Sequence, residues 1–369
     1  MATNFSAIQA CLTNRLDPAA VGMRQLAGVI GDSPSRYSKS PALWNAAFHR
    51  LGIHAVYLAF DVAPGRLKDL ASALRDSPDI LGCNVTVPHK QKIIEHLDDL
   101  DPRAARIQAV NTIVRGSDGR LLGYNTDGGG FLESLRAPEP GQAKPFVESF
   151  TALRVMILGA GGSARAVAFA LADLKEIGEI VLCNRTMEAG AALAREIGAI
   201  TPHVRVVGEN DIAAHAATAH LILNCTVKGQ GGVREDAGGN VTMLEPYSAL
   251  AAARPKSFPA ARARQADFVS HFEAACREDI DANNDASMAT AISIPKECRF
   301  YDLVYHPEET VFLRHGRSTG HRTMNGKAMI VWQAALAFCH HICRRELEAR
   351  KLNGPGILNR VAEIMFGAW

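Results

Sequence analysis

The sequence lacks a charge excess of either sign. Lys and Arg number 40, Asp and Glu 38, and the formal net charge is +2. That excludes a chain drawn to nucleic acid or an acidic membrane surface by bulk electrostatics. No apolar run is long enough to cross a bilayer. Residues 1–18 (MATNFSAIQACLTNRLDP) lack the basic start and apolar core of a secretory signal. A disulfide framework is missing as well. The eight cysteines are scattered and mostly sit in apolar segments, which in a chain this long indicates reduced thiols and a cytoplasmic location. What is present is a chain of 369 residues, 47% hydrophobic and 21% charged. It has the material for two cored domains rather than one.

The stretch 81–90, LGCNVTVPHK, is the most unusual. An apolar strand ends in an amide (Asn84), a hydroxyl (Thr86), a proline and a lysine. A purely structural strand end has no need of that set, so Lys90 is the candidate for chemistry on a small polyhydroxylated substrate. Strands are expected at 26–32, 54–62 and 80–87, with helices between them at about 42–51 and 65–75. Leu43, Trp44, Ala47, Phe48 and Leu51 recur at helical spacing. Ser38 and Ser40 precede Pro41, which suits a first helical turn, so both hydroxyls are expected near a helix N-terminus. QKIIEHLDDLD, from residue 91, reads as a further helix. Segments 109–115 and 121–127 flank a Ser-Asp-Gly turn and read as a hairpin at the edge of a mostly parallel sheet. Residues 1–25 read as an outer helix, and the Pro-rich 138–150 as a connection between domains.

The clearest local pattern is RVMILGAGGSARAVAFALADL, residues 154–174. A buried strand runs into a glycine turn and then into an Ala-rich helix. Gly159 allows the tight turn, Gly161 lets backbone approach a pyrophosphate, and Ala164 stands at the third fingerprint position. The helix N-terminus offers free N–H donors and a favourable dipole. The following strand, 179–186, ends in Asn184, Arg185 and Thr186 rather than in a carboxylate. A guanidinium there suits a ribose 2′-phosphate, so NADP is expected over NAD. Strand 220–226 ends in another polar turn, at Thr226, where open α/β sheets hold ligands. Residues 233–297 break the periodicity and read as loop and short helices inserted in the second domain. A strand from 298 leads to Tyr305. Residues 320–350 read as a glycine-rich start followed by one long amphipathic helix, with Met329, Gln333, Leu336 and His340 on one face. Cys339, His340, His341 and Cys343 do not make a zinc site by this pattern, because adjacent histidines point apart and no partner cluster is evident.

Together these motifs resemble the shikimate dehydrogenase family, including its quinate-using members. They are Ser38-Lys39-Ser40-Pro41, the run from Asn84 to Lys90, Ala109-Val110-Asn111-Thr112, Gly123-Tyr124-Asn125-Thr126-Asp127, Gly159-Ala160-Gly161-Gly162, Asn184-Arg185-Thr186, Asp302-Leu303-Val304-Tyr305, and Gln333 followed by two alanines. The resemblance runs from about 26 to 338, with 233–297 outside it. It implies an α/β fold of two domains. A substrate domain would span 1–137, completed by 326–369, and a Rossmann-like NADP-binding domain would span 138–325. It implies Lys90 and Asp127 as the catalytic pair. Ser38 and Ser40 would hold the substrate carboxylate, with Thr86, Asn111, Asp127, Tyr305 and Gln333 completing the shell. The cofactor would rest on Gly159, Ala160, Gly161, Gly162, Ser163, Ala164, Asn184, Arg185 and Thr186, with its nicotinamide end near Thr226, Leu303, Gly326 and Met329. One position departs from the pattern: Ala189 stands where the family carries a second basic residue. The implied reaction is NADP-dependent reduction of 3-dehydroshikimate to shikimate, in aromatic amino acid biosynthesis. Quinate or aminoshikimate dehydrogenase and a silent NADP-binding paralogue are the alternatives. No metal, nucleic acid or membrane partner is implied, and a homodimer is the candidate assembly.

Overall fold

The computed structural model describes residues 5–22, 24–236 and 238–369. The chain divides into two compact units. One holds the residues up to Pro145 together with Ala328–Trp369, and the other holds Phe146–Lys327.

In the first unit, β1 (Gln25–Gly31), β2 (Ala55–Asp61), β3 (Ile80–Val85), β4 (Asp99–Leu100), β5 (Thr112–Arg115) and β6 (Leu121–Tyr124) form one sheet. Its order is β2-β1-β3-β5-β6-β4. The pairs β2–β1, β1–β3 and β4–β6 are parallel, and β3–β5 and β5–β6 are antiparallel. The β5–β6 hairpin is therefore not at the edge, as the sequence suggests, because β4 closes that side. Ile93 and Ile94 of QKIIEHLDDLD sit in a short 3-10 turn, Lys92–His96, and Asp99–Leu100 near its end supply β4. Two residues of strand are too few to leave a periodic signal. In place of one N-terminal helix there are two short ones, Phe5–Gln9 and Pro18–Val21; residues 1–4 and 23 lie outside the described residues. Helix Ser40–Leu51 buries Leu43, Trp44, Ala47, Phe48 and Leu51. Trp44 stacks on Tyr57, with ring centroids 4.7 Å apart, and meets Phe338 at 5.2 Å. The expected long C-terminal helix is interrupted. It runs Lys327–Ala337, takes a π turn over Phe338–Ile342 and resumes at Arg344–Ala349. The π turn leaves His340 exposed, off the face of Met329 and Gln333, which are buried.

In the second unit, β7 (Arg154–Leu158), β8 (Glu179–Cys183), β9 (Val204–Val207) and β10 (Leu221–Asn224) join β14 (Arg299–Asp302) and β15 (Arg322–Met324). Every pairing is parallel. The order β15-β14-β10-β7-β8-β9 is the doubly wound nucleotide-binding arrangement, with its switch point between β7 and β10. Between β10 and β14 lies the segment expected to be loop and short helix. It holds instead an antiparallel sheet of β11 (Val233–Glu235), β12 (Asn240–Met243) and β13 (Phe258–Pro259), then helices Phe268–Ala275 and Arg277–Ser293. Val241, Met243, Tyr247, Phe268, Phe272 and Ile280 give it a core of its own. Periodicity fails as a guide here because the long helix buries polar positions. Asn283 donates to the carbonyls of Ser248, Ala251 and Ala252, and Ser287 bonds the Ser248 hydroxyl.

Candidate active site and nucleotide cradle

In the first unit the loop after β3 is tied on both flanks. Thr86 N–H donates to Ile30 O, Val85 N–H to Asn111 O, and Val110 N–H to Lys90 O. Buried His89 adds an anchor. Its Nε2 lies 2.7 Å from the Val62 carbonyl oxygen, which can only accept, so Nε2 carries the proton. The side chain next to this anchor, Lys90, is held on a fixed base. Its Nζ is 2.6 Å from Asp127 Oδ2. Asp127 opens helix Asp127–Arg136, where the helix dipole favours a carboxylate.

Asn111 is the hub beneath this pair. Its Oδ1 accepts from Thr126 N–H at 2.9 Å and from the Thr112 hydroxyl at 3.0 Å. Those donors fix the amide orientation, so Nδ2 faces Asp127 Oδ1 (2.8 Å), Thr126 Oγ1 (3.0 Å) and Gln333 Oε1 (3.2 Å). Two amide hydrogens thus serve three acceptors. Asn84, a polar residue of the stretch 81–90 that no site role had claimed, supports the hub. It donates to Asn111 O and Thr112 Oγ1 and accepts from the Tyr57 hydroxyl at 2.7 Å. Asn125 accepts Asp127 N–H at 3.0 Å. The signal for both was an amide at a strand end, which sequence does not separate from a turn former.

Gln333 reaches the hub because helix Asp127–Arg136 begins Asp-Gly-Gly-Gly. A Cβ on Gly130 would lie 2.5 Å from the Gln333 backbone nitrogen, so only glycine permits this approach of the two helices. Ser38 and Ser40 are half-buried. Ser40 is the first residue of its helix and Ser38 Oγ accepts its N–H at 3.2 Å. Thr86 is half-buried, its methyl group against Gly31. Chemically, Lys90 has hydrogens to spare beyond the one given to Asp127, and the Asp127 carboxylate has lone pairs left for a hydroxyl.

In the second unit β7 leads into a turn at Gly159, whose φ of +111° is a glycine conformation. Gly161 takes the N-cap position of helix Gly162–Ala172. A Cβ on Gly161 or Gly162 would meet nothing within 4 Å, so open space stands over the free N–H groups. Ala164 is fully buried, which brings the helix close to the sheet, while Ala160 is half-buried and Ser163 exposed. This cradle fits a dinucleotide pyrophosphate. At the end of β8, Asn184 Nδ2 donates to Thr186 O at 2.7 Å, and Arg185 is exposed and makes no ion pair among the described residues. Thr226 N–H and hydroxyl both donate to Asn224 Oδ1, at 2.9 and 2.7 Å. Leu303 N–H donates to Asn224 O at 2.9 Å, and Gly326 N–H to Val304 O at 3.1 Å. Burial pushes the Tyr305 phenol up. Asp302, beside Asn224, is fully buried, and burial raises its carboxyl to about 7. Tyr305, Thr226, Leu303 and Gly326 belong to this unit, and Met329 and Gln333 to the other.

A doubly wound sheet with a glycine cradle, joined in one chain to a unit bearing a lysine–carboxylate pair, defines a dinucleotide-binding α/β protein of dehydrogenase type. Residues 29–113 match the family model for the shikimate dehydrogenase substrate binding domain, and residues 142–238 match that for shikimate / quinate 5-dehydrogenase. The shikimate dehydrogenase (NADP(+)) of Moorella thermoacetica is 39% identical over 325 residues, covering 87% of this chain and 88% of its own. That of Symbiobacterium thermophilum is 34% identical over 328 residues, covering 88% and 91%. Among solved structures, the Listeria monocytogenes shikimate 5-dehydrogenase with shikimate and NAD superposes with a TM-score of 0.67 at 27% identity, over 96% of this chain and 100% of that one. The Thermus thermophilus enzyme with NADP(H) and shikimate gives 0.59 at 29%, over 92% and 99%. The chain belongs to the shikimate dehydrogenase family.

Proposed function

We propose that this protein catalyses the reversible, NADP-dependent reduction of 3-dehydroshikimate to shikimate, with Lys90 and Asp127 at the reacting carbon. The observation that carries the residue assignment is the 2.6 Å Lys90–Asp127 contact, built onto the Asn111–Gln333 hub. When bound, the nicotinamide supplies or takes the hydride. In reduction, Lys90 holds the ketone oxygen through an ammonium N–H, stabilises the charge that gathers there and gives it a proton. Asp127 keeps the ammonium aimed and accepts a neighbouring ring hydroxyl. Asn111, Thr86 and Gln333 hold the other hydroxyls in this reading, with Tyr305 completing the shell, and Ser38 and Ser40 take the ring carboxylate. Gly159 to Ala164 hold the pyrophosphate, Asn184 to Thr186 the adenosine ribose phosphate, and Thr226, Leu303, Gly326 and Met329 the nicotinamide end.

On this reading the first unit is the substrate domain and the second the NADP domain. The partner is a small ring acid. A cytoplasmic location accords with eight free cysteines, seven of them buried. Among the described residues no helix is long and apolar enough to cross a membrane. Light scattering decides whether the chain is a homodimer. The activity is tested by steady-state oxidation of shikimate and quinate, each with NADP+ and NAD+. The expected order is shikimate with NADP+ first. A kcat/KM for quinate above that for shikimate overturns the substrate assignment. Ligand binding without turnover points instead to a silent paralogue.

A further inference from the structure

Asn224 and Asp302 end two adjacent strands of the second unit and are register partners. Both are fully buried. Asp302 gathers three donors and no acceptor. Asn224 Nδ2 and Val304 N–H reach Oδ1, each at 2.9 Å, and the Thr310 hydroxyl reaches Oδ2 at 2.6 Å. Each partner in turn holds a loop. Asn224 Oδ1 binds both donors of Thr226, and its Nδ2 also reaches Lys228 O at 3.0 Å. Thr310 caps helix Val311–Ser318 through Leu313 N–H. Val304 O accepts from Gly326 N–H. The loop so fixed after β10 lies against the glycine turn, since a Cβ on Gly159 would meet Cys225 O at 3.1 Å and Thr226 Cγ2 at 3.2 Å.

We infer that Asp302 is a positioning residue for cofactor binding: it locks the loop after β10 to the loop after β14 and so sets where Thr226 stands beside the glycine turn and where Leu303 stands at the end of β14. The inference rests on the proposed nicotinamide contacts of Thr226 and Leu303. A buried carboxylate is costly unless its lone pairs are filled, and here three donors fill them. A side chain kept only for packing has no need of that arrangement. An amide in its place keeps the Oδ1 donors, and its nitrogen meets the Thr310 oxygen, which can accept.

The test is NADP+ binding to the full chain, by calorimetry, for the wild type, Asp302→Ala, Asp302→Asn and Asn224→Ala, with thermal unfolding alongside. Asp302→Ala is expected to raise the Kd of the folded protein about tenfold or more, the worth of a lost hydrogen bond to a charged group. Asp302→Asn restores it to within about threefold. Asn224→Ala, which severs the link to Thr226 but leaves Thr310 and Val304 on Asp302, raises it as well. In turnover, KM for NADP+ moves more than kcat. A merely structural role lowers the unfolding temperature and leaves the Kd of the folded protein unchanged, and that result overturns the inference. Failure of both alanine variants to fold overturns it too, since positioning requires the sheet to survive. Binding is read without turnover. A wild type that binds NADP+ but does not oxidise shikimate defeats the substrate assignment and leaves this test standing.

Discussion

Replacing Gly130 by alanine probes how Gln333 is brought to the Asn111 hub. The added Cβ would stand 2.5 Å from the Gln333 nitrogen, 2.6 Å from its Cβ and 2.7 Å from its Cα. Two of the three are backbone atoms, so no rotamer change relieves the overlap and the two helices must separate. Overpacking of this kind costs about 1–3 kcal/mol. Alanine recovers up to about 1 kcal/mol of helix propensity over glycine. Overlap with backbone puts the cost at the upper end of its range, so the net is destabilising. At about 2–4 °C per kcal/mol for a unit of this size, a net cost of about 2 kcal/mol lowers the unfolding temperature by roughly 4–8 °C. The shift also draws Gln333 Oε1 away from Asn111 Nδ2, so KM for shikimate rises. Gly129→Ala is the internal control, because its Cβ meets only the Leu336 Cδ1 atom, at 3.0 Å, at the end of a flexible side chain. Differential scanning calorimetry and steady-state kinetics read both variants. If Gly130→Ala matches Gly129→Ala in unfolding temperature and in KM, the close helix approach does not hold the site.

Arg185→Ala is expected to raise KM for NADP+ about tenfold, the loss of one charge-assisted phosphate contact, and to leave KM for NAD+ nearly unchanged. Equal effects on the two cofactors remove the 2′-phosphate role. Stability should also respond to pH through Asp302, whose folded carboxyl titrates at about 7 against about 3.9 unfolded. The folded state therefore holds the proton more tightly. The stabilisation is full below the unfolded value and is lost as pH rises through 7, close to two pKa units, or about 3 kcal/mol, between pH 5 and 8. Denaturant titrations should show the wild type losing stability over that range relative to Asp302→Asn, and parallel pH profiles would contradict the assignment.

Much of the candidate site was legible because its chemistry sits in short contiguous runs. The stretch from Asn84 to Lys90 carries a polar set that a buried strand does not need, and the structure links Lys90 to Asp127, Asp127 to Asn111 and Asn111 to Gln333 by hydrogen bonds. The strand, glycine turn and helix around Gly159 were legible for the same reason. What sequence hid falls into two kinds. Short or polar-faced elements leave no periodic mark: β4 has two residues, and helix Arg277–Ser293 buries Asn283 and Ser287 where a pattern search expects leucine. Supporting polar groups look like turn formers until their partners are known. Asp302 and Asn224 lie 78 positions apart, and only strand register makes them neighbours. The π turn at Phe338–Ile342 belongs with these, since one extra residue in a helical turn shifts His340 off the face without changing composition.

Lys90 carries the proposed chemistry, and the decisive measurement is the steady-state kinetics of Lys90→Ala with shikimate and NADP+. With the ammonium removed from Asp127, kcat should fall at least about 100-fold, in the range of general acid–base contributions. An unchanged kcat, with only KM for shikimate displaced, would make Lys90 a binding group and contradict the proposed chemistry.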